Sequence, residues 1–250
     1  MAITVITGWN ADGYHEYGKR FLETFDRYWP SDVRLVTYIE DPDFKPLRAE
    51  KRSLYLCGGV VDFINRHKDD PVKRGAKQTD KWMERSHGKP YNFRFDAVKF
   101  SKQMFIPAHA ASTLPDDDIM VWLDGDVITH NDVPHGFVEG LMAGSDLIYL
   151  GRGRTHSEIG FWAISVGKHT RALVEDMAEL YRSDLIFSLN EWHSAYAFDY
   201  CRRVFEKHGG TSRNLTPDGS GHVFATSPLS PYMDHLKGRR KGLDRSPEAG

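Results

Sequence analysis

Apolar-rich runs of strand length alternate along this chain with stretches where apolar residues recur at helical spacing. Ile3 to Thr7, Val33 to Ile39 and Ile119 to Leu123 are runs of the first kind. Their length and their Val and Ile content predict strands buried on both faces. Between the first two runs, Phe21, Leu22, Phe25, Tyr28 and Trp29 keep helical spacing up to Pro30, which ends the helix. Strand, loop, helix, strand is a βαβ opening and predicts a parallel sheet. Further on, Phe93, Ala97, Phe100 and Met104 share a helical face, and Asp146 to Leu150 reads as a strand. Glu158 to Val166 is a strand-like run that carries a carboxylate and a glycine, and Leu173, Met177, Leu180 and Tyr181 mark an amphipathic helix. Asn190-Glu191-Trp192-His193-Ser194 opens another helix, with Ala197, Cys201, Val204 and Phe205 apolar. Glu40 to Lys51 is turn-rich and charged. Arg66 to Lys89 holds eight Lys or Arg against four Asp or Glu, with Trp82 inside. A solvated helical face is the leading reading of that stretch, ahead of a mobile flap or a patch for an anionic partner. The expectation is an α/β fold, with a Rossmann-type, mostly parallel central sheet flanked by helices.

At 250 residues the chain suits one large domain or two small ones, and is read as a single domain. A net charge of −2 gives no global signal for a polyanion. Cys57 and Cys201 are too few for a disulfide framework and suit a reducing compartment. The opening Met-Ala-Ile-Thr-Val-Ile-Thr has no basic leader and no long apolar segment follows, so a cytoplasmic protein without a membrane anchor is expected.

The chemistry centres on the third apolar run, which ends in Asp124-Gly125-Asp126. Ligands of open α/β sheets bind beyond the carboxyl ends of the strands, so this pair is expected at the mouth of a site. Alternation along a strand would send the two carboxylates to opposite faces, but a turn at Gly125 can bring them together. Two hard oxygen ligands near a diphosphate suit Mg²⁺ or Mn²⁺, although Asp-Gly is also a common turn pair. The glycines of the first loop, Gly8 and Gly13, do not make the dinucleotide fingerprint. Thr7 and Tyr14 at that loop are candidates for a base or ribose, or are structural. Arg94 and Lys99 can reach phosphates, with Asp96 orienting one of them, or can form a surface ion-pair ladder. Polar groups around Trp192 read as a sugar site, or as N-capping by Asn190 beside a structural tryptophan. Near the end of the chain, His235, Gly238 and Lys241 stand in a His-x-x-Gly-x-x-Lys pattern. Imidazole can ligate metal, glycine lets backbone approach a phosphate, and lysine neutralises it.

An Asp-x-Asp after an apolar strand, followed much later by His-x-x-Gly-x-x-Lys, resembles the metal-dependent retaining glycosyltransferases of the GT-A fold. Glycogenin and the bacterial lipooligosaccharide galactosyltransferases belong to that group. The resemblance implies a GT-A-like fold in three parts: residues 1–130 for the nucleotide sugar, 131–232 for the acceptor and 233–250 closing over the donor. It implies a nucleoside-diphosphate sugar as donor, a UDP-sugar above all, and Mn²⁺ or Mg²⁺ held by Asp124, Asp126 and His235. Thr7, Tyr14, Arg94, Lys99, Asp124, Gly238 and Lys241 would contact the donor. Glu158, Trp192 and His193 would face the acceptor. Glu191, as nucleophile or electrostatic support, and Asp126 would act in catalysis. The chain departs from those relatives after Lys241, where Gly242-Leu243 stands instead of Pro-Trp. Basic residues at Arg66 to Lys89, at Arg152 and Arg154, and at Lys237 to Arg245 can form a rim for an anionic acceptor. That acceptor would be a lipopolysaccharide or other glycan, or a hydroxymethylated base in DNA, which would have to leave the stack. A small neutral sugar is the other reading. Two rivals of a different class remain. One is a phosphohydrolase with an aspartyl nucleophile, whose first motif Leu123-Asp124-Gly125-Asp126 resembles. The other is a non-catalytic module that binds a nucleotide or sugar.

Overall fold

The computed structural model of the protein describes residues 1–40, 48–76 and 91–237. Its strands are β1 (Ile3–Trp9), β2 (Arg34–Ile39), β3 (Glu50–Ser53), β4 (Ile119–Leu123), β5 (Val127–Thr129), β6 (Leu147–Leu150), β7 (Glu158–Ser165), β8 (Ser212–Asn214) and β9 (Met233–His235). The main helices are α1 (Lys19–Tyr28), α2 (Val60–His67), α3 (Ala97–Thr113), α4 (Phe137–Met142), α5 (Lys168–Arg182) and α6 (Ser194–Lys207). Seven strands form one sheet in the order β3-β2-β1-β4-β7-β6-β8. The pairs β1–β2, β1–β4, β2–β3 and β6–β8 are parallel, while β7 runs antiparallel to both β4 and β6. The mostly parallel sheet flanked by helices is therefore present, and it draws strands from both sides of residue 130.

The apolar-rich runs follow from burial on two faces. Along β4, Met120 and Trp122 pack with α2, α3, α5 and α6, while Val121 and Leu123 pack with α1 and α4 on the other side. Ile6 and Val5 divide in the same way along β1. Trp122 lies opposite Trp162 of β7, with ring centroids 6.4 Å apart. Each such buried side chain contributes about 2 kcal/mol or more through the water it sheds. The outcome is a strand end held rigidly on both faces, where the Asp pair begins.

Several expectations need correction. Part of the stretch from Glu40 to Lys51, taken as charged turns, belongs to β3, an edge strand whose residues are alternately half-buried and exposed. A polar edge strand loses the apolar signature and also resists pairing with another chain. The basic stretch begins inside α2, whose apolar face seats Val60 and Phe63 in the core. Trp82 and Lys89 lie outside the described residues, as do Gly238, Arg239, Lys241 and Arg245. Asn190 does not cap the helix expected there, because α6 starts at Ser194 behind His193. Asp96 caps α3 through the backbone N–H of Lys99 at 3.0 Å and accepts the Tyr91 hydroxyl at 2.8 Å, so it orients neither Arg94 nor the Lys99 ammonium. Among the described residues no helix is long and apolar enough to cross a membrane. Both cysteines are free and buried, and burial pushes each thiol up to about 12.

Candidate active site

β4 stops at Leu123 and the backbone folds over at once, with the Val127 N–H donating to the Asp124 carbonyl at 2.9 Å. Gly125 sits in this turn against the rings of Trp9 and Tyr17, and an added Cβ would approach each to 3.0 Å. The turn launches β5, which pairs antiparallel with β9 and sets Val127 opposite His235. A residue 109 positions beyond Asp126 thus arrives beside it, with His235 Nε2 2.7 Å from Asp126 Oδ1 and 3.7 Å from Asp124 Oδ2. The other oxygen of Asp124 accepts from Trp122 Nε1 at 2.9 Å and Gln103 Nε2 at 3.2 Å. Ligating atoms of Asp124, Asp126 and His235 all lie within 4.8 Å of one another.

Behind His235 stands Glu158, the first residue of β7. Its Oε1 lies 3.1 Å from His235 Nδ1 and accepts from the Gly160 N–H at 3.0 Å and Lys237 Nζ at 2.6 Å. Arg152 pairs with the second oxygen. A histidine with a carboxylate behind its far nitrogen is the usual arrangement of a metal-ligating imidazole. The set of two hard carboxylates and one oriented imidazole fits Mn²⁺ or Mg²⁺. Burial alone would lower His235, but Asp126 and Glu158 hold it charged, up to about 9. Burial raises Asp124 to about 6, with the nearby Asp126 charge adding to the effect and His235 opposing it. Burial of Glu158 is outweighed by His235 and Lys237, which keep its carboxyl well below the usual range.

A pH dependence follows. His235 must lose its proton to accept a metal. Metal affinity should therefore rise about tenfold per pH unit as pH climbs from about 6 toward 9, and level off above that. Without metal, the stability that His235 gains from its carboxylates is fully present below about 6.5 and is lost as pH rises through about 9. Mn²⁺ held by this ligand set would therefore raise the melting temperature more at pH 8.5 than at pH 6.5. An equal increase at both would remove His235 from the ligand set.

A second buried carboxylate has a similar setting. Glu191 is 1% exposed. It accepts from Arg94 Nη1 at 2.8 Å on one oxygen, and faces His193 Nε2 at 2.8 Å and His156 Nε2 at 3.1 Å on the other. Burial would raise its pKa, but these partners win and hold it far below the ordinary value. Burial in turn lowers His193.

The groups held by these two carboxylates face one cleft of about 740 Å³. Asp124, Asp126, His235 and Lys237 line one part of it, and Arg94, His156 and His193 line another. Lys99 and Arg152 also line the cleft, whereas Arg154 is exposed and does not. Tyr17, Lys99 and Gln103 are shared with a narrower cavity of about 150 Å³, walled by Trp9, Asn10, Tyr38 and Glu40 at the ends of β1 and β2. Glu158 and Glu191 sit behind the cleft wall and do not line it. Thr7 is fully buried and lines neither cavity, and neither does Tyr14, which stacks on Trp9. Trp192 is a core residue, edge-on to Phe95 and Phe187, with its backbone N–H donating to the Arg94 carbonyl at 2.7 Å and its indole N–H to the Leu189 carbonyl at 3.3 Å. The sequence reading did not single out Tyr17, Gln103 or His156 as cleft residues, and it named Lys237 only as part of a basic rim. One cue was available for the last two: a buried glutamate needs basic partners, and His156 and Lys237 stand near Glu158 and His235 in the sequence.

No family model matches the chain, and no curated protein matches it. Among solved structures it is similar to a glycosyltransferase involved in the glycosylation of the major capsid of PBCV-1, at 14% identity and TM-score 0.50, with 96% of each chain covered. It is also similar to apo mouse xyloside xylosyltransferase 1, at 7% identity and TM-score 0.48 over 86% of this chain and 85% of that one. A third is the apo glycosyltransferase GlyE of Streptococcus pneumoniae TIGR4, at 11% identity and TM-score 0.44, where 86% of this chain covers 45% of the other. The fold is that of a GT-A-like glycosyltransferase.

Proposed function

We propose that the protein transfers a sugar from a nucleoside-diphosphate sugar to an acceptor hydroxyl, with Mn²⁺ or Mg²⁺ as its metal and with retention of configuration. The observation that carries this reading is the convergence of Asp124, Asp126 and His235 at the carboxyl end of β4, with Glu158 behind the imidazole. Carboxylates and an oriented imidazole at a strand end, facing a cleft of this size, suit a metal-bound diphosphate. In this reading the nucleoside lies in the narrower cavity along β1 and β2, on Tyr17 and Asn10, and the sugar lies toward Arg94 and His193. Metal bound by the Asp pair and His235 would offset the charge that develops on the leaving diphosphate. Lys237 and Arg152, both fixed by Glu158, add positive charge at the same part of the wall, and that contribution grows as the bond breaks. Lys241 and Gly238 remain proposed donor contacts outside the described residues.

Of the two roles open to Glu191, electrostatic support fits better than nucleophile. Its oxygens are already engaged by Arg94, His156 and His193, and a carboxylate held so strongly acidic is a poor nucleophile. With Glu191 behind the wall, retention would proceed by attack of the acceptor from the leaving-group side instead of through a glycosyl-enzyme. Glu191→Gln should then lower turnover about ten- to hundredfold, the scale of losing a supporting partner. Complete loss of turnover in the variant, together with a glycosyl ester on Glu191 of the wild-type protein given donor without acceptor, would restore the nucleophile.

The experiment that tests the function is a panel of nucleotide sugars scored by melting temperature, with and without Mn²⁺, followed by measurement of slow donor hydrolysis. A ligand bound only by the native state raises the melting temperature. One nucleotide sugar should do so in a Mn²⁺-dependent way and be hydrolysed. Phosphatase activity without nucleotide-sugar turnover, or binding of a nucleoside diphosphate without any hydrolysis, would overturn the assignment.

A further inference from the structure

We propose that His156, Glu191 and His193 form a second metal site, selective for a borderline cation of the zinc class, in the wall of the cleft away from the Asp pair. Ligating atoms of these three residues lie within 4.8 Å of one another. Both imidazoles aim Nε2 at the same oxygen of Glu191, at 3.1 and 2.8 Å. Ligands on a tetrahedral zinc, at about 2.0–2.2 Å from the ion, stand roughly 3.3 Å apart. The two imidazole–carboxylate separations lie a few tenths of an ångström inside that spacing, so these pairs need open only slightly to admit an ion. Two nitrogens and one carboxylate are the donor set of a three-ligand zinc site with one position left open. His156 and His193 both line the cleft, so the open position faces it. A nitrogen-rich set also separates this site from the oxygen-rich one of Asp124 and Asp126, which favours harder cations.

The surrounding structure holds the ligands in place. Asp199 accepts the Ser157 N–H at 2.9 Å and its hydroxyl at 2.6 Å, which anchors the residue next to His156. Asp199 Oδ2 also stands 3.8 Å from His156 Nδ1, on the side from which a ligating imidazole is normally oriented. Trp192, between Glu191 and His193, is fixed by the Arg94 carbonyl and by the Tyr181 hydroxyl, which donates to its carbonyl at 2.8 Å. Arg94 holds the other oxygen of Glu191. A cation and Arg94 would share one carboxylate, which weakens the site. Arg94→Gln should therefore bind zinc about tenfold more tightly, because a like charge beside the ion is removed.

The test is titration of the full chain with Zn²⁺ against a chromogenic chelator, and with Co²⁺ followed by its visible absorption. The wild-type protein should bind a zinc equivalent that Asp126→Ala retains and that His156→Ala weakens at least a hundredfold. His156→Gln separates a metal site from a hydrogen-bond network, since glutamine can still donate to Glu191 but is a poor ligand. It should lose zinc, and the cobalt absorption, as fully as the alanine variant. Zinc binding unchanged in both His156 variants, or lost with Asp126→Ala alone, overturns the proposal. These readouts need neither donor nor turnover, so they stand apart from the test of glycosyl transfer.

Discussion

Gly160→Ala is expected to weaken the proposed Mn²⁺ site although residue 160 offers the metal no ligand. An added Cβ would stand 2.1 Å from His235 Nδ1, 2.5 Å from Cε1 and 3.0 Å from Cγ. The imidazole has nowhere to withdraw. It is fully buried, its backbone is paired to β5, and Phe224 packs edge-on to its ring at 5.8 Å. Gly160 also gives its N–H to Glu158 and its carbonyl to the Asp124 N–H at 3.0 Å, so strain there spreads to both sides of the site. Overpacking of this kind costs about 1–3 kcal/mol. Displacing the imidazole should lower metal affinity at least about tenfold, as loss of an orienting partner does. The check is calorimetric titration with Mn²⁺ beside a thermal melt. A Gly160→Ala protein that melts like the wild type and binds Mn²⁺ equally well would contradict the geometry.

Asp126→Ala should have the largest effect on activity. Its carboxylate is the ligand nearest His235 and reaches the cleft, with the side chain 18% exposed. Its removal takes one of the three proposed ligands and also the charge that keeps the His235 proton bound. Turnover should fall by about a thousandfold or more, since metal stabilisation of a leaving group is worth several kcal/mol. Stability without metal should change by only about 1–3 kcal/mol, the range for breaking a partly buried charged hydrogen bond. Far-ultraviolet dichroism and a denaturant melt will show a folded protein, and donor binding will no longer respond to Mn²⁺. Wild-type transfer by this variant would remove the metal assignment.

The parts of the fold that were legible are those whose burial writes directly into the sequence. β1, β2 and β4 are covered on both faces, so each appears as an apolar-rich run, unbroken in β4 and interrupted by threonines in β1 and by Arg34 and Thr37 in β2. The end of the third run places the Asp pair, because water-seeking carboxylates cannot continue a buried strand. β3 was hidden for the opposite reason: Glu50-Lys51-Arg52-Ser53 is an edge strand with ion pairs on its surface, including Arg52 Nε to Glu50 at 2.7 Å. His235 was found by its spacing to Gly238 and Lys241, but nothing local shows that β9 pairs with β5. The carboxylates Glu158 and Glu191 were recognised as important, but nothing in the sequence shows that both stand behind the cleft wall instead of lining it. A glutamate in an apolar strand and one beside a tryptophan look alike whether they face a ligand or hold basic residues from behind. Only the three-dimensional positions of Arg94, Arg152, His156 and Lys237 decide between the two.

The pairing of β5 with β9 has a consequence for the order in which the molecule is completed. Asp124 and Asp126 lie near the middle of the sequence, and His235 follows 109 residues after Asp126. All of β6, β7 and β8 and the helices among them must be made before the strand carrying the imidazole can dock. Closing so long a loop is entropically costly, and it is rewarded only when β9 meets β5 and Glu158 receives the ring. A nascent chain on the ribosome therefore holds two carboxylates without their histidine while the 109 residues from Asp126 to His235 are added. Metal captured through His235 would mark a chain whose last-described strand has come home, and unfinished or misdocked chains would be poor in metal.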